Sequence, residues 1–203
     1  MVKRVLIKKK KNNFFREQYC LCWNYLRLSR NFVYFAVGIF FIFSLVGFFV
    51  PAPGFLSKMI LEFIEELLKQ TEGMSQLELI VFIFLNNIQA SFFGMILGIF
   101  FGFFSILIAM SNGYLLGFVG IASVKEAGFL SLLNLLPHGI FELPAIFICL
   151  GLGIKLGSFI FQKNKLDSFK NFLMNSLRIF LFIVVPLLIV AAIIEGGLIF
   201  LLR

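Results

Sequence analysis

The sequence predicts an all-α integral membrane protein of about five transmembrane helices, on three observations. Its 203 residues are 61% hydrophobic, include 30 phenylalanines and are only 14% charged, whereas an ordinary soluble domain is about 45–50% apolar and about 25% charged. Apolar runs recur that are long enough to cross a hydrocarbon core about 30 Å thick, which takes about 20 helical residues. The positive excess, formally +8, is concentrated in residues 1–30. There Lys3, Arg4, Lys8, Lys9, Lys10, Lys11, Arg16, Arg27 and Arg30 face one acid, Glu17. A basic cluster ahead of a span is a topology signal and a contact for anionic lipid headgroups. No RNA or DNA module pattern accompanies it, so nucleic acid is not an expected partner.

In chain order, residues 1–30 read as a basic cytoplasmic segment and residues 31–203 as a single transmembrane domain. Residues 14–30 carry Phe14, Phe15, Tyr19, Trp23 and Tyr25 among Arg16, Arg27 and Arg30, the pattern of an interfacial helix with rings at headgroup depth. Asn31 to Val50 is free of charge and is stopped by Pro51-Ala52-Pro53, which makes it the first span and a retained anchor rather than a cleaved leader. Between Phe55 and Gln70, Met59, Ile60, Phe63, Ile64, Leu67 and Leu68 recur at helical spacing opposite Lys58, Glu62, Glu65, Glu66 and Lys69, predicting an amphipathic surface helix.

The positive-inside rule places residues 1–30 and 161–178 in the cytoplasm and the Glu-rich residues 51–78 outside. The remaining spans are then expected near Ile88–Met110, Gly113–Leu136, Ile140–Phe161 and Leu177–Leu202, with an external C-terminus. Leu77 to Leu85 is left at the outer surface, and Asn86-Asn87 marks the start of the second span. The third span is expected to be irregular, because Lys125-Glu126 interrupts it. Irregular backbone at membrane depth must be enclosed by protein or line a cavity.

Small residues form two stripes. Asn87, Ser91, Gly94, Gly98, Gly102, Ser105 and Ala109 follow at three- or four-residue steps, and Ala145, Cys149, Gly153 and Gly157 are each four apart. Such stripes let helix backbones approach, so the second and fourth spans are expected to pack together within the bundle or across a dimer interface.

Polar chemistry centres on His138 and Glu142, four residues apart and hence on one helix face if Pro137 opens a helix. Carboxylates within spans normally face the bundle and find a partner. Two readings follow. One is a structural clamp in which Glu142 accepts from His138, Asn86, Asn87 or Asn112; the other is a proton- or ion-handling pair. Glu195, ahead of Gly196-Gly197, is a second intramembrane carboxylate. Lys155, near the cytoplasmic end of the fourth span, is expected to snorkel to the surface. Cys20, Cys22, Cys149 and the lone His138 do not make up a zinc site, and no nucleophile is visibly paired with a base. No cofactor and no catalytic residue is expected.

Asn86-Asn87 followed by small residues, Asn112-Gly113, and above all Pro137-His138-Gly139-Ile140-Phe141-Glu142-Leu143-Pro144-Ala145 resemble the stage II sporulation protein M family, over about residues 25–203. The resemblance implies a multispanning membrane scaffold without recognised catalytic residues. In endospore-formers such a scaffold works with the sporulation proteins D and P, which degrade peptidoglycan during engulfment; members also occur in bacteria and archaea that never sporulate. Only a short stretch, the Glu-rich residues 51–78 and the outer-surface Leu77–Leu85, separates the first two expected spans, so no large external docking domain is expected. The expected partners are anionic lipid at the basic segment, other membrane or envelope proteins, and a second copy of the chain. The alternative function is a small transporter or channel working through His138 and Glu142.

Overall fold

The computed structural model describes residues 14–201, apart from the side chains of residues 133–138 and of Phe141. Seven α-helices follow in order: α1 (Phe14–Phe49), α2 (Gly54–Thr71), α3 (Gln76–Ile96), α4 (Phe103–Ala127), α5 (Leu136–Gly157), α6 (Lys165–Ile179) and α7 (Val185–Leu201). No strand occurs among the described residues. Five helical stretches are long and apolar enough to cross a membrane, as the composition requires.

Opposed residues give the directions. Phe40 and Ser44 of α1 meet Gly113 and Gly117 of α4, so these helices run parallel. Val33 meets Gly151 and Ser29 meets Lys155, so α5 returns antiparallel to α1. Gly94 meets Leu150 and Gly98 meets Gly153, which sets α3 parallel to α5, and Ile80 against Gly196 with Gln76 beside Gly197 sets α7 antiparallel to α3. The five span-length stretches therefore alternate in direction along the chain, and among the described residues the start of α1 and the end of α7 lie at opposite ends of the bundle. One end of the bundle holds Ser29, the α3–α4 turn and Lys155; the other holds α2 and the start of α5. Central to the packing is α5, which touches α1, α3, α4, α6 and α7.

Several boundaries differ from the sequence expectation. The expected interfacial helix 14–30 is not separate: α1 is one helix of 36 residues, about 54 Å at 1.5 Å per residue. Its first half buries Cys22, Tyr25 and Ser29 in the bundle, and Phe14, Phe15 and Tyr19 pack on Phe182. These rings touch a neighbouring helix while staying about half exposed or more.

The second span begins at Gln76, not near Ile88. Ser75 caps α3 by accepting from the Glu78 N–H while the Glu78 carboxylate accepts from the Ser75 N–H, a reciprocal capping box. Leu77–Leu85 is accordingly helical, and Asn86-Asn87 lies ten residues inside it.

The break between the second and third spans is at residues 100–102. Phe101 and Gly102 both take positive φ, 58° and 75°, and the Gly102 N–H returns to the Gly98 carbonyl at 2.7 Å. Gly102 suits the left-handed turn because it has no Cβ. The third span, α4, is regular rather than interrupted. Lys125 sits in its last turn, where a cation favours the helix dipole, and Gly128 (φ 80°) stops it. Residues 129–135 form a 3-10 connector instead of the second half of a span.

The last span continues a longer helical run from Lys165 through α6, a π-helical stretch over Phe180–Val184, and α7. Pro186 explains the stretch, since it lacks the N–H that would bond four residues back and its ring crowds that carbonyl.

Candidate functional site

Four of the polar residues singled out in the sequence meet at one end of the bundle. Asn86 and Asn87 from α3, Glu142 from α5 and Glu195 from α7 line one cavity of about 1080 Å³. Its roof is the amphipathic α2, which adds Glu65, Lys69 and Thr71, with Glu72 just beyond its end, and its floor is apolar, with Leu79, Phe82, Ile83 and Ile199. Helix periodicity explains the convergence, because α3, α5 and α7 pack against one another and each turns one polar face to the shared gap. Glu142 and Glu195 are both engaged in polar interactions, as expected of carboxylates at membrane depth.

The other named residues lie elsewhere or outside the description. The side chains of His138 and Pro137 lie outside the described residues, so the His138–Glu142 pairing does too; the helix that carries them, α5, starts at Leu136. Gly139 is on α5, its nearest neighbour Leu143 of the same helix, and Pro144 is inside α5. Asn112 is on α4 and is not brought to the cavity. No group of three or more His, Cys, Asp or Glu side chains able to hold a metal occurs among the described residues.

The small-residue stripe does not lie on one helix face, because the turn at 100–102 divides it. Gly94 and Gly98 lie before the turn, Gly102 in it, and Ser105 and Ala109 after it, on α4. Folded back, both halves face α5. A Cβ at Gly98 would overlap the Gly153 backbone, and one at Gly157 would overlap Gly102 and Gly98. Ser105 Oγ donates to the Gly94 carbonyl at 2.6 Å and closes the hairpin. A second seam, unremarked in the sequence, joins α1 to α4, where Gly47, Gly113 and Gly117 bring backbone to backbone. Its signal was available as Gly113-x-x-x-Gly117.

At the opposite end Lys155 departs from expectation. It does not snorkel; it is 7% exposed. Its Nζ donates to Ser29 Oγ at 2.9 Å and lies 3.9 Å from the Tyr25 ring centroid and 5.5 Å from that of Phe172. Ser29 passes its own proton to the Tyr25 carbonyl at 2.7 Å. The aromatic faces and the hydroxyl take the place of water around the ammonium. The only sequence signal was a lysine within Leu152-Gly153-Ile154-Lys155-Leu156-Gly157, on the most buried span.

A family model described as Stage II sporulation protein M matches residues 32–198. The chain belongs to the stage II sporulation protein M family. This agrees with the resemblance carried by the Pro137–Ala145 segment, and the match takes in the cavity residues and the glycine seams above, while Ser29 and Tyr25 lie just before it. As a stage II sporulation protein M family member it is a multi-pass membrane protein of a sporulation-related family. No curated protein and no solved structure matches the chain.

Proposed function

We propose that this stage II sporulation protein M family member is a non-enzymatic membrane scaffold that organises membrane or envelope remodelling with partner proteins. The observation that supports it best is the set of glycine seams, α1 on α4 and the α3–α4 hairpin on α5, where backbones touch. In lipid, close backbone packing takes over much of the role that apolar burial has in water. Four helices locked this way, α1, α3, α4 and α5, suit a rigid platform. In this reading the end with Arg16, Arg27, Arg30, Lys163, Lys165, Lys170 and Arg178 is cytoplasmic, against anionic headgroups, and the C-terminus is external. Partners are other membrane or envelope proteins, and a second copy of the chain is a further one. Crosslinking followed by pull-down from native membranes tests the reading. Reproducible capture of envelope proteins supports it; absence of any crosslinked species would count against it.

One observation favours a second reading, a small transporter. The cavity of Asn86, Asn87, Glu142 and Glu195 opens at one end and reaches ten residues into α3, and polar groups at membrane depth are how transporters build sites. Proteoliposome flux decides between the two. Ion- or proton-dependent flux abolished by Glu142→Gln in a folded protein would replace the scaffold with the transporter.

A further inference from the structure

Alone among the seven helices, α2 has no buried residue next to a strongly two-sided sequence. Its stripe of Met59, Ile60, Phe63, Ile64, Leu67 and Leu68 looks down on two spaces, about 540 Å³ against α1 and α4 and about 1080 Å³ against α3, α5 and α7. An apolar stripe has to be buried against something, and the rest of the chain does not cover this one. Its tethers narrow the choice. Residues 50–53 and 72–75 join α2 to the ends of α1 and α3, and four residues reach at most about 14 Å. The helix therefore stays at the level where two spans leave the hydrocarbon. Near the same end of the bundle, Leu45 and Phe49 of α1 and Leu77 and Val81 of α3 are exposed apolar residues as well, and the stripe shares its smaller space with Phe43 of α1 and Leu107 and Met110 of α4. Off the stripe, α2 carries Glu62, Glu65 and Glu66 against Lys58 and Lys69, with Glu65 and Lys69 at the edge of the larger cavity, an acidic balance that disfavours anionic headgroups, unlike the basic end of the bundle.

We propose that α2 lies in the plane of the leaflet on the C-terminal side, with its stripe sunk to the headgroup–acyl boundary, acyl chains of that leaflet filling the smaller, apolar space lined by Phe43, Met59, Ile60, Phe63 and Leu107, and zwitterionic rather than anionic lipid around it. In-plane helices of this kind bury the apolar face about 5–10 Å into the boundary. The proposal does not depend on the scaffold reading.

The full chain is reconstituted with Trp23→Phe and a single new indole, from Phe63→Trp or Ile60→Trp on the stripe or Glu66→Trp on the outer face. The vesicles are phosphatidylcholine and phosphatidylethanolamine, with or without phosphatidylglycerol, and carry lipid brominated on the upper acyl carbons. The expected result is several-fold stronger quenching of both stripe indoles by brominated lipid than of the Glu66→Trp indole. Acrylamide should show the reverse order, and phosphatidylglycerol should change neither. Equal acrylamide quenching on both faces would overturn the proposal, because the stripe would stand in water, open to a soluble partner. So would stripe indoles shielded from both quenchers, since protein, a second copy or another chain, would then cover them. Lipid quenching that required phosphatidylglycerol would overturn the headgroup assignment. Using two stripe positions separates a local packing fault from the placement of the helix.

Discussion

Lys155 Nζ donates a 2.9 Å hydrogen bond to Ser29 Oγ, 126 residues earlier in the chain, with both residues buried. The contact joins α1 to α5 at the basic end. Among the described residues no carboxylate lies within 4.0 Å of this ammonium. The hydroxyl and the Tyr25 ring therefore carry its stabilisation.

The two partners should respond differently to substitution. Ser29→Val leaves a buried ammonium without its acceptor and is expected to cost about 1–3 kcal/mol, read as a lower thermal midpoint in detergent. Lys155→Met removes the charge, keeps an unbranched side chain and leaves Ser29 bonded to the Tyr25 carbonyl. It is expected to be nearly neutral, since replacing a buried ionic group by a well-packed apolar one is often so. A Lys155→Met midpoint as low as that of Ser29→Val would refute this division.

Gly98 is expected to tolerate no side chain. Its missing Cβ leaves room for the Gly153 backbone, so Gly98→Leu should separate α3 from α5 and remove most folded, monodisperse protein from size-exclusion chromatography. Gly38, which has nothing within 4 Å of an added Cβ, supplies the control. Gly38→Ala should fold at least as well as the parent, because alanine favours a helix interior by about 1 kcal/mol over glycine in water. An undisturbed Gly98→Leu protein would count against the seam.

Ser75→Ala should weaken the start of α3 by about 1 kcal/mol, the usual value of an N-cap. Glu78→Gln should cost less, because glutamine also completes a capping box. Thermal midpoints of the two variants check the order, and the reverse order would show that the carboxylate acts through something other than the cap.

Ser105→Ala should be mild. It removes the bond to the Gly94 carbonyl, and interhelical hydrogen bonds in membrane proteins average about 0.6 kcal/mol. A loss of folded yield like that of Gly98→Leu would mean that the hydroxyl, not the glycine seam, holds the hairpin.

Part of what the sequence left obscure was written there in short-range signals. Ser75-x-x-Glu78 ahead of an apolar run marks the start of α3, and Gly128 marks the end of α4. Hydropathy outweighed them, because residues 79–110 are apolar throughout and Asn86-Asn87 looked more like a boundary than a cap did. The turn at Phe100-Phe101-Gly102 had little chance of being read. A turn between spans usually announces itself by polar residues, and here a single glycine stands among phenylalanines. Asn112, expected as one possible partner of Glu142, is carried elsewhere by α4.

By itself the sequence determined that the chain crosses a membrane, that it does so five times, and that α2 is two-sided, because each depends on composition summed over a local stretch of helix. The tertiary structure decided which faces of those helices are hidden. Lipid and protein interior are both apolar, so hydropathy does not distinguish the side of α5 that buries Cys149 from a side that meets lipid. The same ambiguity concealed Lys155, whose burial depends on Ser29, Tyr25 and Phe172 arriving from two other helices, and it left to packing the meeting of Asn86, Asn87, Glu142 and Glu195 around one cavity.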